Sequence, residues 1–284
     1  MSILIKDLKY TYMPKTPFEK TAIHDISLEI QKGEFVAVIG HTGSGKTTLL
    51  QHLNGLLLPT EGEVFIDGEK ITKKNLSEIR RKVGFVFQYP EHQLFEDTVY
   101  KDIAFALKRF KLSDEEIDAK VRKAANTVGL DEALFESSVF DLSGGEKRRV
   151  AICGVLVSDP SYMLLDEPAS GLDGKGRRDM LALLKKLNSE GVTIVLISHS
   201  MDDVAEVADR IILINEGTVA LDGTPGEVFS KEELLASMSL DVPEVTKLFN
   251  DFSKRSGIPL PTVTTAEQGR EIIRMLINEG RLVL

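Results

Sequence analysis

The sequence has one cysteine, no tryptophan and no long apolar run. The scarcity of cysteine and of apolar runs argues against disulfide-bonded, thiolate metal-binding and membrane-spanning proteins. Cys153 is the only cysteine among 284 residues, so an internal disulfide is impossible and a cluster of metal-binding thiolates is unsupported. The apolar runs are shorter than the roughly 18 residues that a membrane helix needs, so we expect no direct membrane span. The first residues lack a signal-peptide pattern, which indicates residence in the cytosol.

Acidic residues also outnumber basic ones. The chain carries 35 Lys and Arg against 44 Asp and Glu, a formal net charge of −9 that gives no basic footprint for nucleic acid. Its five histidines include no pair at the short spacing of a zinc site. A hydrophobic fraction of 42% is enough for a sizeable core, so composition predicts a globular protein without nucleic acid as a partner.

A glycine-rich segment follows an apolar run near the start of the chain. The run Phe35–Ile39 is typical of a parallel strand that is buried on both faces. After it come Gly40, His41, Thr42, Gly43, Ser44, Gly45, Lys46 and Thr47, with Thr48 in the helix that follows. Glycines let backbone N–H groups surround phosphates, and the helix start adds the positive end of its dipole. The pattern predicts a nucleotide site in which Lys46 reaches the β- and γ-phosphates, Thr47 binds Mg²⁺, and His41 is a variable, outward-facing residue.

Two later apolar runs each lead to groups that are capable of hydrolytic chemistry. Residues 161–165 lead into Asp166 and Glu167, and residues 192–197 are followed one residue later by His199. Unpaired buried carboxylates are costly, so two acids at the end of a buried strand favour a functional site over packing. We expect Asp166 to hold Mg²⁺ through its water shell and Glu167 to act as the general base. A lone histidine after a strand is weak evidence for catalysis, but His199 follows a strand that ends at the same predicted sheet edge. That position supports a catalytic role for it.

Two further motifs give the chain a family resemblance. Between the first and second site elements lie Leu142, Ser143, Gly144, Gly145 and Glu146, and shortly after the second lie Ser170, Gly171, Leu172 and Asp173. With these motifs in this order, roughly residues 2–230 resemble the nucleotide-binding subunit of an ATP-binding cassette (ABC) transporter. The first loop then corresponds to the P-loop, 142–146 to the signature, 170–173 to the D-loop and His199 to the switch histidine.

The ABC resemblance implies an active site that is shared between two chains. In this family the signature binds the γ-phosphate of the ATP that the opposite subunit holds. The family's adenine-stacking aromatic corresponds to Tyr12. Tyr10 shares the same strand face, and ordinary packing remains open for either ring.

A closer resemblance lies in residues 86–99, 139–141, 148–151 and 201–204, which are similar to the ATPases of energy-coupling factor importers for vitamins, cobalt or nickel. Those systems often pair two related ATPases, and this chain looks like the second type. The resemblance implies that Gln88 contacts Mg²⁺ and the attacking water. It also implies that residues 89–99 line the groove for a coupling helix of a transmembrane protein, and that a separate membrane subunit binds the substrate.

The order of predicted elements indicates an α/β fold of the P-loop ABC ATPase type. Residues 1 to about 85 supply an antiparallel β portion and the P-loop, and residues from about 89 to 160 form a helical subdomain, with one helical segment at 100–111 and a capping box at Ser113 that opens the next. Strands at 162–166, 192–197 and 211–214 complete the sheet. The nucleotide-binding domain thus covers 1–230, and 231–284 is a C-terminal helical extension.

The extension shows two apolar stripes at helical spacing, separated by Pro259 and Pro261. They consist of Val245, Leu248, Phe249 and Phe252, and of Ile272, Ile273, Leu276 and Ile277. Two amphipathic helices that pack back on the core would explain the pattern. The alternative is a dimerisation element, since family members carry short C-terminal extensions that touch the partner ATPase.

The sequence therefore predicts an ATP- and Mg²⁺-dependent ATPase at the cytoplasmic face of the cell membrane, peripheral to it, that powers an energy-coupling factor importer. Its expected partners are a second, related ATPase, a transmembrane coupling protein and a substrate-binding membrane subunit. The alternatives are an ATPase of another ABC transporter class, a soluble ABC protein that acts on ribosomes or DNA, a P-loop kinase or GTPase, and a binding-only regulatory partner. The presence of Glu167 argues against the last, and the signature argues against a kinase or GTPase.

Overall fold

Two β-sheets form the centre of the computed structural model, which describes residues 1–281. The strands are β1 (Ser2–Tyr12), β2 (Lys20–Gln31), β3 (Phe35–Ile39), β4 (Glu61–Ile66), β5 (Glu69–Lys70), β6 (Val83–Val86), β7 (Tyr162–Asp166), β8 (Thr193–Ile197), β9 (Arg210–Asn215) and β10 (Thr218–Gly223). One sheet has the order β2-β1-β4-β5, and its pairs are antiparallel. The other has the order β10-β9-β3-β8-β7-β6, with only the β10 pair antiparallel. This mixed α/β architecture confirms the predicted fold class.

The helices cover both faces of the larger sheet. They are α1 (Lys46–Leu53), α2 (Leu76–Lys82), α3 (Val99–Ala104), α4 (Asp114–Val128), α5 (Gly144–Leu156), α6 (Gly174–Ser189), α7 (Met201–Val207), α8 (Pro225–Phe229), α9 (Glu232–Ser237), α10 (Glu244–Ser256) and α11 (Ala266–Asn278). The predicted capping box at Ser113 opens α4, with reciprocal hydrogen bonds between Ser113 and Glu116.

Side chains of β3 point alternately to the two faces of the larger sheet, and both faces are buried, which explains the uninterrupted apolar run. Val36 and Val38 point into a cluster shared with the antiparallel sheet and α1. Phe35 packs on the opposite face against the helical segment, and Ala37 and Ile39 pack on that face against α7 to α9. Because successive side chains of a strand alternate between faces, both faces must be apolar.

The parallel strands bring the sequence motifs to one edge of the sheet. In spatial order, β3, β8, β7 and β6 are neighbours, and all four run in the same direction. Their carboxyl ends precede the P-loop, His199, Glu167 and Gln88, respectively. In open α/β sheets, ligands bind outside the carboxyl ends of the strands, so topology alone concentrates these residues.

The expected helical segment at 100–111 is wrong as a single helix. The α-helix α3 ends at Ala104, and Phe105–Arg109 continues as a 3₁₀-helix. The cause is local: the N–H of Phe105 donates to the carbonyl of Asp102, three residues back, and this tightens the turn.

The C-terminal extension begins with the short helix α9 and continues with α10 and α11, the two helices that the apolar stripes predicted. They pack on each other where Gly269 of α11 meets Phe249 of α10; a Cβ atom on Gly269 would lie 2.9 Å from that ring. Val242, just before α10, is buried in the cluster that contains α7 and β9, while Leu248 on α10 is 65% exposed. Across residues 1–281, no helix combines the length and apolarity that a bilayer crossing requires.

Candidate active site

Two glycines of the P-loop lie where a Cβ atom would collide with neighbouring backbone. Gly40 has φ +151°, and a Cβ there would lie 2.2 Å from the backbone oxygen of Ile214. Gly45 has φ +112°, and a Cβ there would lie 2.8 Å from the backbone oxygen of Ala22. At Gly43 a Cβ would meet nothing within 4 Å, so this glycine faces open space. The loop thus packs tightly behind and stays open in front, where phosphates would lie.

Lys46 follows the loop as the first residue of α1, and its ammonium group is placed to bind an anion. Its Nζ donates to the backbone oxygens of Gly40 and His41 over 2.8 and 2.9 Å. Burial lowers the pKa of this ammonium group, and the carboxylates of Glu167 and Asp166 partly oppose that effect. The buried Ser44 hydroxyl has no hydrogen-bond partner within the described residues. A phosphate group would satisfy both side chains.

An oxygen-rich pair beside the P-loop fits Mg²⁺. The Thr47 hydroxyl donates to Asp166 Oδ2 over 2.7 Å, which joins the start of α1 to the end of β7. Hydroxyl and carboxylate oxygens are the ligands that Mg²⁺ prefers, and it usually keeps waters and nucleotide phosphates as further ligands. Within residues 1–281, no group of three or more His, Cys, Asp or Glu side chains is placed to hold a metal ion.

Glu167 is the centre of a second cluster at the sheet edge. Its Oε2 accepts a hydrogen bond from Gln88 Nε2 over 3.1 Å, and its Oε1 lies 2.5 Å from His199 Nε2. The residue adopts φ +51°, a left-handed conformation that is strained for a glutamate and common at functional sites. A carboxylate held from two sides in this way can accept a proton from a correctly placed water.

Tyr12, not Tyr10, lines the cavity beside the P-loop. This cavity of about 250 Å³ is bounded by Tyr12, Lys20, Ala22 and P-loop residues 43 and 45–48. The Tyr12 hydroxyl lies 3.1 Å from Thr48 Oγ1. Tyr10 instead packs edge-on against the buried ring of His52. The geometry therefore favours Tyr12 as the ring that a base would stack on. Lys20 also lines this cavity, but it belongs to none of the sequence motifs, so sequence analysis did not identify it.

The signature lies apart from this cavity, at the start of α5. Ser143 and Glu146 form a capping box: Ser143 Oγ donates to Glu146 Oε2 over 2.6 Å, and the Ser143 N–H donates to the same oxygen over 2.8 Å. These hydrogen bonds lower the pKa of Glu146. Gly144 and Gly145 are exposed, and a Cβ on either would meet nothing within 4 Å. An exposed helix start without side chains in front suits an anion that comes from outside the chain.

The D-loop, 170–173, connects Glu167 to α6. Asp173 caps α6 by accepting a hydrogen bond from the Gly176 N–H over 2.7 Å. One turn on, Arg177 Nε donates to Asp203 Oδ1 over 2.6 Å, and Arg177 also bonds to Ser200, next to His199. Burial raises the pKa of Asp203, although the contact with Arg177 opposes this.

Two further contacts near the site also escaped the sequence analysis. Asp102 Oδ2 accepts hydrogen bonds from the N–H groups of Phe95 and Glu96, over 2.9 and 3.0 Å, and so shapes the segment 89–99. Arg148 forms a buried ion pair with Glu91. Each pair joins residues on separate elements, so no local pattern indicates it.

The sequence matches known proteins over nearly its whole length. Residues 23–170 match the family described as ABC transporter. The chain is 51% identical over 284 residues to the energy-coupling factor transporter ATP-binding protein EcfA2 of Clostridium perfringens, with 99% of this chain and 100% of that protein covered. It is 45% identical over 290 residues to the protein of the same name from Bacillus licheniformis, with 99% and 100% covered.

Two solved structures illustrate the similarity in fold. The structure is similar to cbiO1 from Clostridium perfringens, described as part of the ABC transporter complex cbiONQ, with a TM-score of 0.74, 36% identity and coverage of 87% of this chain and 98% of that one. It is also similar to the dimeric ATP-binding cassette MJ0796 in a post-hydrolysis state with ADP and Pi, with a TM-score of 0.70, 33% identity and coverage of 78% and 98%.

Proposed function

The chain belongs to the ABC transporter family, among its energy-coupling factor transporter ATP-binding proteins, and from this premise we propose that it hydrolyses ATP to drive import of a vitamin, cobalt or nickel. The observation that carries the proposal is the meeting of Lys46, Thr47, Asp166, Glu167 and His199 at one sheet edge. That arrangement provides phosphate binding, metal binding and water activation together.

Each ATP lies between two chains in this proposal. Tyr12 stacks on the adenine, and the P-loop residues 40–48 hold the phosphates. The exposed signature 142–146 of the opposite chain completes the site at the γ-phosphate. The D-loop, 170–173, lies beside the same interface. The support is that Gly43 of the P-loop and Gly144 and Gly145 of the signature face open space, and that no signature residue lines the cavity beside the P-loop of the same chain.

Hydrolysis breaks the bond between the γ-phosphorus and the oxygen that bridges it to the β-phosphate. Glu167 takes a proton from water as the water oxygen attacks the γ-phosphorus, and ADP and phosphate leave. Gln88 and His199 hold the Glu167 carboxylate in place through its two oxygens. Lys46 neutralises charge on the phosphates.

Mg²⁺ would be held by Thr47, by Gln88 and, through water, by Asp166, together with nucleotide oxygens. When bound it neutralises phosphate charge. The Thr47–Asp166 contact already positions both oxygens in the protein chain, so the metal meets a preformed pair.

Residues 89–99 and their neighbours form the docking surface for a transmembrane coupling protein. Tyr89, Phe95 and Phe105 are all 40% exposed or more. Phe95 and Phe105 meet edge to face with ring centroids 4.7 Å apart, and Asp102 fixes the backbone beneath them. An ordered, exposed aromatic pair of this kind suits insertion of a partner helix. The chain would then lie on the cytoplasmic face of the membrane.

Affinity purification from detergent-solubilised membranes of the native host, followed by mass spectrometry, tests this function. We expect a second, related ATPase, a large membrane coupling protein and one or more small substrate-binding membrane proteins. Recovery of the chain alone, or with ribosomal or DNA-bound proteins, would contradict the importer assignment while leaving the ATPase chemistry intact.

A further inference from the structure

One buried guanidinium joins three segments around the reaction site. Arg148 lies on α5, the helix that the signature opens. Its Nε and Nη2 donate to the two carboxylate oxygens of Glu91 over 3.0 and 2.6 Å. Its Nη1 donates to the backbone oxygens of Pro168 and Ser170 over 3.1 and 2.9 Å. Arg148 therefore ties the signature helix to the proposed docking segment and to the backbone that follows Glu167.

The contact is buried, unlike the ion pairs on the surface of the chain. The Arg148 side chain is 5% exposed and that of Glu91 is 16% exposed. Burial opposes ionisation of Glu91, but the hydrogen bonds and charge of Arg148, together with a backbone hydrogen bond and the charge of His92, outweigh it, so the pKa of this carboxyl lies below its ordinary value. Removal of either partner leaves a charge without compensation in a poorly hydrated place, so each group depends on the other for its position.

The planar fork of arginine is what makes this junction possible. Four donor–acceptor contacts leave Arg148 in two directions, a pair toward Glu91 and a pair toward the carbonyls of Pro168 and Ser170. A lysine ammonium is a single point charge with three donors and cannot reproduce that geometry. Any shift of the short 3₁₀ turn Pro90–Gln93, which carries Glu91, therefore acts on the backbone next to Glu167 through one rigid group.

We propose that Arg148 is a positioning residue that couples occupancy of the docking surface to the placement of Glu167 and the D-loop. This inference rests on the proposed function, because it needs a membrane coupling protein that binds at 89–99. Binding there sets the position of Glu91, Arg148 passes that position to the backbone at 168 and 170, and the signature helix moves with it. Docking and hydrolysis are thereby linked within one chain.

The test compares ATP hydrolysis by the purified complex with hydrolysis by the ATPase pair freed of its membrane subunits. For Arg148→Gln we expect kcat of the complex to fall about tenfold to a hundredfold, because a small misplacement of a reacting group costs that much. KM for ATP should change less than about twofold, since Arg148 touches no P-loop residue named above. The ratio between the two rates, the stimulation by membrane subunits, should fall toward one.

Two companion variants sharpen the result. Glu91→Gln should reduce the stimulation in the same direction, and adding it to Arg148→Gln should cause little further loss because both remove one link. Arg148→Lys keeps the positive charge and should recover only part of the stimulation. It also serves as the test variant if Arg148→Gln unfolds, as checked by the thermal midpoint.

Arg122→Gln is the matched control. Arg122 also bonds to two acidic side chains, Asp118 and Glu132, but it is 48% exposed on α4. Exposed pairs contribute little, so this variant should keep wild-type rates and stimulation.

Two results would overturn the proposal. One is a folded Arg148→Gln or Arg148→Lys protein with wild-type stimulation; the other is a raised KM with unchanged kcat, which would assign Arg148 to nucleotide binding. Failure of the proposed function looks different: the wild-type chain would then recover no membrane partner at all, and both proposals would fall together.

Discussion

Replacement of Glu167 by glutamine gives the sharpest check on the chemistry. The side chain keeps its size, so the contact from Gln88, at 3.1 Å, can be retained through the remaining carbonyl oxygen. The ability to accept a proton from water is lost. A general base contributes about 10²- to 10⁴-fold to rate, which corresponds to about 3 to 5 kcal/mol of transition-state stabilisation.

Nucleotide binding should survive this change. The phosphates are held by the P-loop and Lys46, which bonds to the backbone oxygens of Gly40 and His41 and not to Glu167. Loss of a negative charge close to the γ-phosphate should, if anything, strengthen binding. We therefore expect kcat for phosphate release to fall about 10²- to 10⁴-fold, with ATP affinity equal to or tighter than that of the wild type.

A phosphate-release assay measures the fall in kcat. Size-exclusion chromatography with ATP and Mg²⁺ detects retained nucleotide binding, because a closed, ATP-bound dimer should accumulate. Glu190→Gln is the control, because it makes the same chemical change at an exposed position at the far end of α6. A Glu167→Gln protein that hydrolyses ATP at nearly the wild-type rate would remove Glu167 from the role of general base.

Four further outcomes are expected. Lys46→Ala should raise the Kd for ATP at least about tenfold or abolish turnover, since charge-assisted phosphate contacts are lost, as isothermal titration would show. Tyr12→Ala should raise KM for ATP several-fold, whereas Tyr10→Ala should lower the thermal midpoint, because Tyr10 packs on His52 and Tyr12 lines the cavity. Glu146→Gln should lower the ATP concentration needed for dimer closure, because it removes a negative charge beside Ser143, where the γ-phosphate is expected, and keeps an oxygen that can accept from the Ser143 hydroxyl. Deletion of 238–284 should weaken ATPase pairing in analytical ultracentrifugation yet spare nucleotide binding; unchanged pairing would refute a dimerisation role.

The sheet-edge residues could be predicted because each motif directly follows an apolar run in the sequence, and such a run indicates a buried parallel strand. An apolar run such as Phe35–Ile39 indicates a buried strand, and the polar residues after it then lie at the carboxyl edge. The same logic placed Asp166 and His199 at one edge, and the structure agrees. The capping box at Ser113 is a short-range pattern and was equally readable.

Contacts between distant residues could not be predicted in this way. Arg148 and Glu91 are 57 residues apart, and Arg177 and Asp203 are 26 apart, so no periodicity relates them. The choice between the two tyrosines of β1 depended on which ring faces the core, which their shared spacing leaves open. The early end of α3 depended on one hydrogen bond to Asp102, an effect too small for composition to encode.

The central claim is that ATP is bound between the P-loop of one chain and the signature of another. A cryo-EM map of the purified Glu167→Gln complex with ATP and Mg²⁺ tests it most directly. The account predicts nucleotide density that touches Lys46 of this chain on one side and the signature serine of the partner ATPase on the other, and a second nucleotide at Ser143 of this chain. Nucleotide bound to the P-loop alone, with Ser143 facing solvent or another surface in the closed complex, would contradict it.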